Sequence, residues 1–112
     1  MHPWYHSLSS ARKHGGEPES YMSLHSWFDA SKELMCDFRH RALRHHAQGI
    51  FEAERVFGTT VVNSLGKLIP VRILGEQHVR EDLGRVPTLS EWLRTIKGES
   101  WMYRNVDRQQ EE

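Results

Sequence analysis

Histidine is the residue type in this sequence most able to do chemistry: the chain has eight in 112 residues. Seven of them, His2, His6, His14, His25, His40, His45 and His46, precede position 47, and His78 stands apart. They are interspersed with other residues, unlike a purification tag. Imidazole is the commonest protein ligand for zinc and its neighbours, so the first chemistry to consider is metal coordination. His25 and Asp29 lie one helical turn apart, a spacing at which two side chains can grip one ion.

The densest stretch is "FRHRALRHHAQGIFEAERVFG", Phe38 to Gly58, with three histidines, four arginines and two glutamates. Read as one helix, it aligns Leu43, His46, Ala47, Ile50, Glu54 and Phe57 on a single stripe, with Ala53 beside them. Arg41, His45 and Glu52 project from another side. His46 is therefore expected inside and His45 in water. A histidine on an apolar stripe is costly unless its ring nitrogens find partners. One partner would be a divalent metal (zinc, manganese, iron or nickel) shared with His6, His25, Asp29 and His78. The other would be a carboxylate or backbone carbonyl in the core. Glu54 lies about 12 Å further along the helix, too far to share an ion with His46. It is expected to pair with Arg72 or Arg80 and fix the docking of the following segment. No HExxH motif is present.

Other chemistries find less support. Fifteen basic and fifteen acidic residues cancel, which counts against a general polyanion binder. The basic edge of Arg39, Arg41, Arg44 and His45 reads as a solvated helix face rather than a nucleic-acid contact. Neither a Gly-rich phosphate loop nor a GxSxG elbow occurs, so no reaction or substrate is selected. The single cysteine, Cys36, excludes an intramolecular disulfide and reads as a core thiol. Without a long apolar run, no membrane span or signal sequence is expected, and the compartment expected is the cytoplasm. Four tryptophans are many for this length and could anchor a protein partner.

The elements that must position these residues follow from periodicity and punctuation. "HPWYHSLSSARKHGG" reads as a first helix, opened by Pro3 and stopped by Gly15-Gly16, with Trp4, Leu8 and Ala11 inward and His6 elsewhere. A second helix opens at "EPESY" and carries Tyr21, Leu24, Phe28, Ser31 and Met35, widened by Trp27 and Leu34. After the third helix, "TTVVNS" and "KLIPVRIL" read as strands of a hairpin about "NSLG", with Pro70 on an edge or at a non-donating position. "GEQHVREDLG" reads as a loop or a single turn. "PTLSEWLRTIKG" reads as a last helix with a Thr88/Glu91 capping box, an inner side of Leu89, Trp92, Leu93 and Ile96, and Gly98 as its stop.

Three of these segments, "HPWYHSLSSARKHGG", "FRHRALRHHAQGIFEAERVFG" and "GEQHVREDLGRVPTLSEWL", resemble an uncharacterised family of short bacterial and bacteriophage proteins, a domain of unknown function. The resemblance runs to about Leu93. It implies a bacterial or phage origin and a self-contained domain, and it brings no activity with it.

The expected architecture is mainly helical α+β. A three-helix core carries a β-hairpin packed on helix 3 and a C-terminal helix. Residues 1–98 are expected to form one compact domain and 99–112 a polar, partly flexible tail anchored by Trp101 and Tyr103. The expected function is binding of a divalent metal through a histidine/carboxylate cluster centred on His46. The alternative is a metal-free protein-interaction module or an inhibitor of a host or phage protein.

Overall fold

Local signals open the chain as expected. In the computed structural model, which describes residues 1–106, Pro3 takes the first position of α1 (Pro3–His14) and the His2 ring accepts the Trp4 N–H. Gly15, at φ +87°, stops the helix, because a left-handed residue without a side chain costs least there. The buried side of α1 is not the expected one. His6, Ser7 and Ser10 face inward, while Trp4, Leu8 and Ala11 are only half-buried. The interior beside α1 is polar, so the rule that an apolar stripe marks the inner face does not apply to it.

Helix α2 (Glu19–Asp29) buries Tyr21, Leu24 and Phe28, and with them His25 and Asp29. It tightens into a 3-10 turn at Ala30–Glu33 rather than continuing, which leaves Leu34 and Met35 exposed. Cys36 follows in the irregular link and is exposed, so it is not a core thiol. The expected third helix is also broken. A 3-10 turn covers Phe38–Leu43, the chain reverses at Arg44–His46, and α3 runs only from Ala47 to Phe57. Gly49 makes the reversal feasible, since a Cβ there would overlap the Arg44 carbonyl. The break changes the helix phase. His46 is buried as expected, but so is His45, which was expected in water.

Strands β1 (Thr60–Val62) and β2 (Leu68–Pro70) form an antiparallel hairpin with Val61 opposite Ile69. Its turn is built by Asn63, whose Oδ1 accepts the N–H groups of Leu65 and Lys67. β1 packs against α2 and α3. The second strand ends earlier than expected, and α4 (Val71–Leu83) takes up both the rest of "KLIPVRIL" and the supposed loop. Pro70 caps this helix in extended conformation, as a residue without an N–H can. Val71, Leu74, Gly75 and His78 recur at three- and four-residue steps on its inner side, and that burial outweighs the β preference of Val71 and Ile73. The Glu54 carboxylate meets Arg72 at 3.0 Å, tying α3 to α4.

The Thr88/Glu91 capping box starts α5 as expected, but the helix ends at Leu93, leaving Leu93 and Ile96 exposed. Trp92 is half-buried and its indole N–H donates to the His45 carbonyl. A 3-10 turn at Ser100–Tyr103 follows, with Trp101 exposed. The expected tail lies outside the described residues from position 107 onward.

The molecule is thus mainly helical α+β, with a core of Tyr21, Leu24, Phe28, Ile50, Ala53, Ile69, Val71, Leu74 and Val79. No helix among the described residues is long and apolar enough to cross a membrane.

Candidate metal centre

Four segments converge on one buried polar cluster. α1 contributes His6, the end of α2 contributes Asp29, the reversal before α3 contributes His45, and α4 contributes His78 and Asp82. His78 and Asp82 share a helix face because they are one turn apart. The Nε2 of His45 is 2.9 Å from Asp82 Oδ2 and 3.4 Å from Asp29 Oδ1. The Nε2 of His78 is 3.4 Å from the same two oxygens. Single donor atoms of Asp29, His45, His78 and Asp82 all lie within 4.8 Å of one another. On the other oxygen of Asp82, His6 Nε2 approaches Oδ1 to 3.2 Å.

These separations have a direct chemical reading. Donors bonded at about 2.1 Å to one transition ion sit about 3.0 Å apart at right angles and about 3.4 Å apart at tetrahedral angles. A group of buried histidines and aspartates with this spacing can hold a metal ion. Three buried polar atoms of the cluster also lack hydrogen-bond partners, His6 Nε2, Asp29 Oδ2 and His45 Nδ1. His6 Nε2 is close to Asp82 but not aligned for a hydrogen bond, so its proximity does not satisfy it.

Outer contacts orient the ligating groups. His6 Nδ1 is 2.8 Å from Glu81 Oε1, and Glu81 also accepts from Ser9 and from Gln77. His25 lies behind His78, with the two Nδ1 atoms 2.9 Å apart, and its Nε2 contacts Ser10 Oγ at 2.8 Å. The rings of His6 and His78 stack with centroids 3.8 Å apart, and Phe28 stacks on the other side of His78. His45 Nδ1 is buried without a partner.

Charge is distributed unevenly across the cluster. Burial pushes the Asp29 and Asp82 carboxyls up, but the imidazoles bonded to them outweigh it, so both sit well below the ordinary carboxylate range. Burial pulls His45 down, and its bonds to Asp29 and Asp82 overcome that, leaving it raised. His25 has no carboxylate in contact, and burial followed by the neighbouring His78 and His6 pushes it down to about 2. The carboxylates therefore lie on the Asp29–Asp82 side, where Asp82 Oδ1 also accepts the Met1 ammonium at 3.1 Å, and not on the His25 side.

Of the residues singled out from sequence, His6, His25, Asp29 and His78 come together, and His46 does not join them. His46 is the N-cap of α3. Its Nδ1 accepts the Gly49 N–H, and its Nε2 lies near the Ala42 and Leu43 carbonyls without good alignment. Its neighbour His45 occupies the place expected of it. Sequence reading misses His45 because it assumes an unbroken helix, and misses Asp82 because "GEQHVREDLG" reads as a loop or a single turn rather than part of a longer helix. The signal for Asp82 was present as the one-turn spacing of His78 and Asp82.

No curated protein and no solved structure gives a match to the chain. The family model described as "Domain of unknown function (DUF6915)" matches residues 1–102, and the chain belongs to that family.

Proposed function

We propose that this domain binds a divalent metal ion through His45, His78, Asp29 and Asp82, with His6 completing the site from α1. The observation that carries this reading is the convergence of imidazole Nε2 atoms and aspartate oxygens at 2.9–3.4 Å in the interior. The mixed nitrogen and oxygen donors suit zinc, manganese, iron or nickel. The ligands come from separate segments and are shielded from water, which fits an ion that holds α1, α2, the reversal and α4 together. An exposed free thiol at Cys36 fits a reducing compartment, so we place the protein in the cytoplasm. The bacterial or phage origin implied by the resemblance belongs to the same proposal.

A chelator should lower the melting temperature of the full chain, and one of the four metals should restore it. Free metal at a hundredfold excess over its dissociation constant adds about 2.7 kcal/mol to stability. A melting curve indifferent to chelator and to all four ions would overturn the metal reading. The second reading, a metal-free interaction module or inhibitor, is favoured by the exposed Phe38, Leu93, Ile96 and Trp101. Its test is whether a host or phage protein co-purifies with the wild type and not with a Phe38→Asp/Ile96→Asp variant.

A further inference from the structure

A compact chain of this length has a radius of gyration of about 13 Å, whereas this one reaches 16.5 Å and extends 54 × 26 × 22 Å. The excess has a visible source: every residue from Leu93 to Val106 is exposed. An arm surrounded by water needs no apolar residues. This one carries Leu93, Ile96, Trp101, Met102, Tyr103 and Val106, with Trp101 72% exposed. The arm is nevertheless built. The Ile96 N–H donates to the Leu93 carbonyl at 3.0 Å, and the Met102 N–H to the Glu99 carbonyl at 2.9 Å. The Tyr103 ring lies against Gly98, where a Cβ would overlap it, so the arm closes back on that glycine. Among the described residues, the 3-10 turn at Ser100–Tyr103 is not packed closely on any other element.

At the root of the arm lies an apolar groove of about 370 Å³. Phe38 and Ala42, from the 3-10 turn before α3, line it together with Trp92, Leu93 and Ile96. Phe38 is 67% exposed. The six residues after Val106, "DRQQEE", are polar throughout and bring nothing that an apolar groove would hold. The base of the arm already forms part of the groove's own lining. The chain therefore presents an apolar arm without a seat and an apolar seat without an occupant. The exposed apolar side chains of the arm, with Phe38, offer roughly 700 Å², close to the ~800 Å² that each partner gives to a stable interface.

We propose that the occupant is a second copy of this chain: two copies pair about a two-fold axis, and each lays its Leu93–Val106 arm across the other, with Trp101 in the other copy's groove beside Phe38 and Ala42. Two-fold pairing covers both surfaces at once and closes, because each copy gives one arm and receives one. An unrelated partner would have to supply a seat for the arm and a filling for the groove, and a second copy carries both in its own sequence. The proposal does not rest on the metal reading. It gives to a second copy the face that the interaction reading assigns to a host or phage protein.

Sedimentation equilibrium of the untagged full chain, over about 1 μM to 1 mM, tests the pairing. Wild type should pass from one chain mass to two within this range and go no further. Trp101→Asp and Phe38→Asp should each weaken pairing about 30-fold or more, as loss of a central aromatic anchor does. Both side chains face water in the single chain, so at concentrations below pairing both variants should melt with wild type. If Phe38→Asp unfolds, Trp101→Asp alone decides. Wild type still monomeric at about 1 mM would overturn the proposal. So would a dimer that survives Trp101→Asp unchanged, or masses that keep growing beyond two chains. A host or phage protein bound to monomeric wild type would overturn it in favour of the interaction reading.

Discussion

The interior has two halves that are built on different principles. Around Phe28, Ile50, Ile69 and Leu74 it is apolar, contributed by α2, α3, β2 and α4. Around His78 it is polar: His6, Ser10, His25 and His45 are as inaccessible as the aliphatic residues, and Asp29 and Gln77 are buried beside them. Phe28 belongs to both, packing in the apolar cluster and stacking on the His78 ring. The apolar half needs volume and shape, which several residues can supply. The polar half needs every donor matched to an acceptor, so one change there disturbs all its members. Helices α2 and α4 serve both halves, and the difference there lies in what their inward positions carry.

The largest effect should come from removing the anion shared by three imidazoles. Asp82→Ala leaves His6, His45 and His78 without their common partner and should cost about 3–5 kcal/mol, with loss of the chelator response. Denaturant unfolding of wild type and variant checks it, and a variant as stable as wild type would mean that the polar half is not a coupled unit. Leu74→Ala, in the apolar half, should cost about 2–4 kcal/mol through its cavity. Its metal content should be unchanged, and a parallel loss of metal would show the two halves to be inseparable.

Acid should distinguish the halves by about 1.4 kcal/mol per pH unit for each buried imidazole that must stay neutral. His25 is pushed down from 6.5 to about 2, so between these values the unfolded chain binds the proton and the folded one does not. Its contribution is fully present above 6.5 and declines as pH falls below it. His45 is raised, so its contribution is present below 6.5 and is lost as pH climbs through its folded value. In metal-free protein, stability should therefore fall on going from pH 6.5 to 5.5, and His25→Gln should flatten that slope. An unchanged slope would remove His25 from the account.

Smaller still is the expected effect of the N-cap. His46→Ala should cost about 1 kcal/mol through the lost cap of α3 and leave metal content alone. His45→Ala should abolish metal binding, and the reverse pattern would restore the unbroken helix. Arg39→Gln disturbs only an exposed pair with Asp37 and should leave the melting temperature within the scatter of repeat scans.

Much of the fold was legible because its signals are local. Pro3, the Asn63 turn and the Thr88/Glu91 box each act within a few residues, and each appears where the sequence places it. The misreadings share one cause, tertiary context that overrides a local pattern. α1 turns its polar side inward because the polar cluster receives it. α4 replaces a strand and a loop because Val71, Leu74 and His78 must reach the interior together. The reversal at Arg44–His46 carries no strong breaker, since Gly49 acts by permitting close approach rather than by ending a helix. That shift of one residue exchanged His45 for His46. The histidine and aspartate types were readable as metal-binding chemistry, but which of them meet depended on the reversal and on α4.

Elemental analysis of untagged protein, purified without a metal column, tests the central claim most directly. The account predicts about one divalent ion per chain in wild type and in His46→Ala, and none above background in His45→Ala. Wild type without metal, still without it after incubation with zinc, manganese, iron and nickel, would contradict it. So would metal that survives His45→Ala.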